Sequence, residues 1–114
     1  GTALPVPAVT PPGLPAAPAL PWTLQSPGAC ERCLAALSKT DHYAVVNAAA
    51  ENLLCEDRAA RERCEQQMNA VAPAHAERVA KEGDCPAALA TVAAAVQARV
   101  PADRFAAVNA LCLR

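Results

Sequence analysis

Six cysteines constrain the fold of this chain more than any other feature of its sequence. In a chain of 114 residues they are Cys30, Cys33, Cys55, Cys64, Cys85 and Cys112. An even number of cysteines in a short chain is typical of a disulfide framework that forms in an oxidising compartment. We therefore expect three disulfides, no free thiol, and an extracytoplasmic location, either periplasmic or secreted.

The remaining composition predicts an all-α fold. Aromatic residues make up 3% of the chain, and alanine is abundant. Strands need branched and aromatic side chains to cover a sheet face, whereas alanine is the strongest helix former. Alanine-rich helices bury little area each, and apolar burial contributes about 25 cal/mol per Å². We therefore expect the disulfides to supplement a modest hydrophobic core.

Residues 1–27 predict an extended arm that precedes a helical domain at residues 28–114. Proline at this density excludes helix and sheet interiors and favours polyproline II. The residues between the prolines are apolar where an ordinary linker is polar, so the arm is either a spacer or a segment that lies on a protein surface. In the second case the candidate partner-binding residues are Leu14, Leu20, Trp22 and Leu24.

Beyond residue 27 the apolar residues recur at helical spacing and predict five or six helices. The first is short, the second covers about 42–55 after Thr40 and Asp41, and the third begins at Asp57. Pro73 is expected to kink or restart the chain, which separates a fourth helix at about 74–82. The fifth follows Asp84 and the sixth opens at Pro101. The apolar positions expected to face the core are Cys30, Cys33, Leu34, Leu37, Val45, Val46, Ala49, Leu53, Ala60, Cys64, Met68, Val71, Cys85, Leu89, Val92, Val96, Phe105, Val108 and Cys112.

The last two helices predict one disulfide directly. If they form an antiparallel hairpin about the turn near Ala98, Cys85 and Cys112 lie opposite each other on the two apolar faces. The other four cysteines then pair among themselves, and their connectivity stays open. Reach slightly favours two bonds, Cys30–Cys55 and Cys33–Cys64.

The stretch from Gly83 to Pro101 resembles the turn and second helix of a tetratricopeptide repeat. In those repeats a Gly-Asp pair separates two helices, and small residues at fixed spacings let the helices approach closely. The residues that follow this order are Gly83, Asp84, Ala88, Leu89, Ala95 and Pro101, and the resemblance is best over residues 73–113. A shift of 43 residues superposes Asp41 on Asp84, which indicates an internal duplication with three short helices in each unit. The resemblance implies antiparallel helical hairpins that bind a protein or peptide, and the cysteines add the expected disulfides between them.

Cys30 and Cys33 form a C-x-x-C motif, which leaves two other functions open. The spacing is that of dithiol redox centres, in which a helix N-terminus stabilises the first thiolate. A thiol–disulfide oxidoreductase is therefore one alternative, although the strand that precedes this motif in thioredoxins is missing here. Two cysteines three residues apart also open saposin-like domains, so a lipid binder is the second alternative.

Other classes of function have no support in the sequence. The formal net charge is −1 and the basic residues are dispersed, so no nucleic-acid surface is expected. His42 and His75 have no neighbouring ligands at metal-binding spacing. We expect no cofactor, no metal, no catalytic residues and therefore no enzyme.

The composition also suggests where such a domain belongs. The chain does not begin with methionine, and no apolar run is long enough to span a membrane. We therefore expect the mature or excised portion of a larger protein, with no membrane insertion by this segment. Its Ala- and Arg-rich, proline-linked style resembles exported parts of membrane-anchored bacterial signalling or cell-envelope proteins. The predicted function is an extracytoplasmic protein-interaction or sensory module, which could self-associate through the arm.

Overall fold

The computed structural model describes residues 28–113. Arm residues 1–27, including Leu14, Leu20, Trp22 and Leu24, lie outside this range. The described part is all-α and contains five α-helices and one 3₁₀ turn. In chain order the elements are α1 (Ala29–Ala36), α2 (Ala44–Leu54), α3 (Arg58–Lys81), α4 (Cys85–Gln97), the 3₁₀ turn (Ala102–Phe105) and α5 (Ala106–Cys112). No helix within residues 28–113 is long and apolar enough to cross a membrane.

The third and fourth predicted helices are a single helix, so the expected break at Pro73 is wrong. Pro73 lies inside α3, and the helix continues to Lys81. Proline removes only one backbone hydrogen bond, the one to the carbonyl of Asn69. On either side of it, Ala72 and Ala76 are completely buried. Their packing holds the helix together across the missing bond, and α3 therefore spans the expected boundary between the two predicted repeat units.

Capping residues account for both boundaries of α3 and for the start of α4. The side chains of Asp57 and Asp84 accept hydrogen bonds from the backbone amides of Ala59 and Ala87, both at 3.1 Å, and so begin α3 and α4. Gly83 ends α3 with a φ of 93°, a left-handed conformation that favours glycine. The second helix begins later than expected, at Ala44, because residues 41–43 form a turn.

Helix α3 lies at the centre and contacts every other helix. Its inner face and the elements around it supply the largest buried side chains: Phe105, Met68, Val45, Val79, Val100 and Val108.

The buried face of α4 differs from the one expected. Leu89 and Val92 are only partly buried and Val96 is exposed, whereas Ala87, Ala88, Thr91 and Ala95 are buried. Because α4 packs against both α2 and α3, its small residues occupy the contact and the larger ones move to the margins. Alanine packing, and not a leucine–valine stripe, therefore joins the central helices.

Three disulfides connect the helices, and no cysteine is free. Cys30–Cys55 joins the start of α1 to the end of α2, with their Cα atoms 4.7 Å apart. Cys33–Cys64 joins α1 to α3 and is completely buried. Cys85–Cys112 joins the start of α4 to the end of α5. These are the pairs that the sequence favoured, and three such bonds fit a protein that folds in an oxidising, extracytoplasmic compartment.

We expect the double variant C85A/C112A to lose about 3 kcal/mol of unfolding free energy. The bond joins residues that are 27 positions apart and so limits the conformations of the unfolded chain, and this restriction is lost in the variant. Urea denaturation measures the loss, and the single variants should lose as much as the double. A non-reducing peptide map that linked Cys85 to Cys30, Cys33, Cys55 or Cys64 would contradict this architecture.

Candidate functional site

An open groove of about 300 Å³ runs between α2, the first half of α3 and the end of α4. Each helix contributes residues three or four positions apart, so each presents one stripe to the groove. The lining residues are Val46, Ala49, Ala50, Asn52, Leu53, Arg61, Glu65, Ala94, Gln97, Ala98 and Arg99. The floor is apolar and the margin polar, which is the usual arrangement of a ligand-binding cleft.

The α2 wall of the groove includes a residue that the sequence placed in the core. Leu53 was expected on the core-facing stripe, but 74% of it is exposed, the largest exposure among the large apolar residues of the described range. It follows Val46, Ala49 and Ala50 along one side of α2. This stripe continues past the edge of α4 and is left uncovered by residues 28–113.

Asn52 is the one buried side chain of the groove with an unsatisfied polar atom. The residue is 3% exposed, and its Nδ2 donates to Glu65 Oε2 at 3.3 Å. Its Oδ1 has no hydrogen-bond partner among the described residues. The other buried polar residue, Thr91, instead donates to the Ala87 carbonyl at 2.8 Å. A buried acceptor without a donor costs about 1–3 kcal/mol, so Asn52 is the unsatisfied polar position in the groove wall.

Arg99 lies at the end of the groove in a strained conformation. It ends α4 with a φ of 77°, the only positive φ of a non-glycine residue in the described range. The Arg99 amide donates to the Val96 carbonyl, and the Val100 amide donates to the Ala95 carbonyl. The same pair of bonds ends α3, where the amides of Gly83 and Asp84 donate. The chain therefore uses glycine in one of two equivalent positions and arginine in the other.

The two arginines of the groove are available to a ligand. The guanidinium groups of Arg61 and Arg99 form no hydrogen bond or ion pair with residues 28–113. Glu65, which orients Asn52, lies on the same margin. This margin offers donors and an acceptor around the apolar floor, so it can position a polar backbone without requiring a highly charged ligand.

A second cluster lies at the other end of α2 and α4, where the α1–α2 loop meets the α3–α4 turn. His42 Nδ1 lies 2.7 Å from Asp84 Oδ2, and His42 Nε2 lies 2.8 Å from Glu82 Oε1. Arg78 also donates to Glu82 and, at 2.9 Å, to the Thr40 carbonyl. These contacts connect two loops that are about forty residues apart in the sequence. We call residues His42, Arg78, Glu82 and Asp84 the loop clasp.

The loop clasp is strongest when His42 is charged, since only the imidazolium donates from both nitrogens. The hydrogen bonds to Asp84 and then to Glu82 raise the pKa of His42 above its ordinary value of 6.5. The same bonds, helped by Arg78 at Glu82 and by the Ala87 amide at Asp84, lower the pKa of both carboxyl groups. The sequence analysis considered His42 only as a metal ligand and predicted no role for it.

The two cysteines of the C-x-x-C motif form disulfides with different partners. Cys30 is bonded to Cys55, and Cys33 is bonded to Cys64. No group of three or more His, Cys, Asp or Glu side chains in residues 28–113 could bind a metal ion. The only predicted site residues in the described range are therefore disulfide cysteines.

Sequence reasoning missed the groove, although it contained one signal. Asn52 is four residues after Ala48 and seven after Val45, so it continues the buried face of α2 with a polar side chain. A polar residue in that position marks either a buried hydrogen bond or a binding site. Nothing in the sequence marks Arg99, because only its backbone φ angle in the structure distinguishes it from the other arginines.

Comparison with models of known protein families, with curated proteins and with solved structures found no significant match to this chain.

We expect Arg99→Gly to raise the unfolding free energy by about 1 kcal/mol, because glycine adopts a positive φ without steric cost. Gly83→Ala is the matched control and should lower stability by a similar amount, since an added Cβ at Gly83 has no neighbour within 4 Å and only the backbone is strained. Urea denaturation measures both. A destabilised Arg99→Gly variant would show that the arginine side chain stabilises the fold.

The loop clasp predicts a pH-dependent stability. His42 contributes below about pH 6.5 and its contribution is lost as pH rises through its raised pKa. Glu82 and Asp84 contribute above their ordinary values of 4.5 and 3.8, and this is lost as pH falls through their lowered pKa values. The melting temperature of the wild type should therefore exceed that of His42→Gln most between about pH 4.5 and 6.5.

Lys39→Gln, an exposed change in the same loop, is the control and should leave the pH profile unchanged. The loop clasp would be contradicted if the melting temperatures of wild type and His42→Gln differed by the same amount below, within and above this pH range.

Proposed function

We propose that this protein is an extracytoplasmic protein-interaction module that binds an extended peptide segment of a protein partner in the groove between α2, α3 and α4. The observation that carries this proposal is Asn52. Asn52 lines the open groove, and its buried carbonyl oxygen has no donor among the described residues. The backbone amide of a peptide is the donor that a protein partner always provides.

The shape and margin of the groove favour an extended peptide as the ligand rather than the surface of a globular protein. The groove follows α2 from Val46 to Leu53, a length of about 10 Å at the rise of an α-helix. Three residues of extended chain cover that distance. Exposed Leu53 offers a contact for one apolar side chain, while Arg61 and Arg99 can donate to the peptide carbonyls.

The alternatives receive less support. A redox C-x-x-C pair forms its disulfide between its own two cysteines, whereas Cys30 and Cys33 have different partners and Cys33 is completely buried. A thiol–disulfide oxidoreductase therefore requires a rearrangement of two disulfides. A saposin-like lipid binder needs a large apolar surface, whereas this groove is small and has a polar margin.

The wider setting is proposed from the same features. Three disulfides and the proline-rich, alanine-rich composition support the exported part of a membrane-anchored bacterial signalling or cell-envelope protein. The tetratricopeptide-like interpretation and the duplication stay predictions. The features that support them are Gly83 and Asp84 at the α3–α4 turn and the completely buried Ala88 and Ala95.

Selection from a library of random ten-residue peptides displayed on phage tests the proposal. We expect enriched peptides with apolar residues and no strong charge bias, and their affinity should fall at least tenfold, about 1.4 kcal/mol, for Ala50→Glu. Ala50 is exposed on the groove wall, so glutamate blocks the groove without disturbing the core.

Ala93→Glu is the matched control, because Ala93 is exposed on α4 and outside the groove. Both substitutions add the same charge to the middle of a helix. Enriched peptides that bound both variants as tightly as the wild type would place the binding surface elsewhere, and a selection that enriched nothing would remove the support for a peptide-binding module.

A further inference from the structure

We propose that the groove is occupied by the protein's own arm, with Leu20, Pro21 and Trp22 lying along α2 from Leu53 towards Val46, until a partner peptide displaces them. This inference rests on the same groove as the proposed function. It makes the arm an intramolecular competitor and assigns a role to the apolar residues between the prolines.

The position where the arm leaves the domain puts these residues within reach. Gly28 is two residues before Cys30, and Leu53 is two residues before Cys55. The Cα atoms of Cys30 and Cys55 are 4.7 Å apart. Because consecutive Cα atoms are about 3.8 Å apart, the path from Gly28 to Leu53 is at most about 20 Å. A polyproline II segment rises about 3.1 Å per residue, so the six residues from Gly28 back to Trp22 cover about 19 Å.

The chemistry of the arm fits that of the groove. Polyproline II has no internal hydrogen bonds, so its amides are free to donate. Trp22 adds an indole N–H, and the Glu65 carboxylate on the groove margin is an acceptor for such a donor. The tryptophan ring supplies the apolar area that Leu53 and the alanines of the floor lack. Proline limits the entropy that the arm loses on docking, which makes a short segment an effective ligand.

An occupied groove changes how the domain responds to a partner. The arm is attached within about 20 Å of the groove, so its effective concentration is high, in the millimolar range typical of short tethers. A partner peptide must compete with it. Removal of the arm from the groove, by a partner or by tension on the arm, would then uncover the site.

Fluorescence of the full-length chain tests this inference, because Trp22 is its only tryptophan. We expect the wild-type emission to lie at shorter wavelength, and acrylamide quenching to be severalfold weaker, than for a free peptide of residues 14–27. Ala50→Glu should restore the emission and quenching of the free peptide, while Ala93→Glu should leave the wild-type values. Far-ultraviolet circular dichroism checks that both variants keep the helical fold.

Three results would overturn the inference. The first is acrylamide quenching of the wild type equal to that of the free peptide. The second is a Trp22 that is buried in the wild type and stays buried in Ala50→Glu. The third is Trp22 emission that changes with protein concentration, since a second copy of the chain would then supply the arm. The proposed function is tested separately by the selected peptides. If they bind while Trp22 is exposed, only the arm inference fails. If Trp22 is docked and released by Ala50→Glu, but no peptide binds even to a Trp22→Ala variant in which the arm no longer competes, only the proposed function fails.

Discussion

The architecture depends on covalent bonds that attach its two shortest helices. Helices α1 and α5 have eight and seven residues, lengths at which a helix is marginal without tertiary support. Two disulfides attach α1 to the neighbouring helices α2 and α3, and the third attaches α5 to α4. The three longer helices pack instead through alanines such as Ala48, Ala76 and Ala95, all completely buried. Disulfides therefore hold the short outer helices in place, and close packing of alanines holds the three longer helices together.

Close alanine packing also explains where the groove lies. Small residues bring α4 against both α2 and α3 along most of its length, but Val46, Ala50 and Leu53 of α2 extend beyond that contact. At the far end the loop clasp connects His42 to the α3–α4 turn and sets the position of α2 beside α4. At the near end the turn at Arg99 closes the groove. The groove therefore lies between the loop clasp at one end of α2 and the Arg99 turn at the end of α4.

Sequence reasoning predicted the helical class, the two aspartate caps and the favoured disulfide pairs, because each depends on local spacing or on chain reach. It failed where tertiary packing overrides local preference. Pro73 should have ended a helix, but buried Ala72 and Ala76 keep α3 continuous. Leu53 and Val96 should have been core residues, but alanines occupy the contact and leave them exposed. The groove and the loop clasp join residues from three elements, and no pattern along one helix predicts such a combination.

The bond between Cys30 and Cys55 also determines how the domain carries mechanical load. Tension along the arm enters the domain at its first helix, only two residues before this disulfide. From there the force passes covalently to the end of α2 and, through Cys33–Cys64, to the central helix α3. The short helix α1 is thus shielded between two covalent connections. A pull on the arm first loads the bonds that precede Cys30, such as the one from the Arg32 amide to the Gly28 carbonyl, and then reaches the longest helix of the domain through covalent bonds.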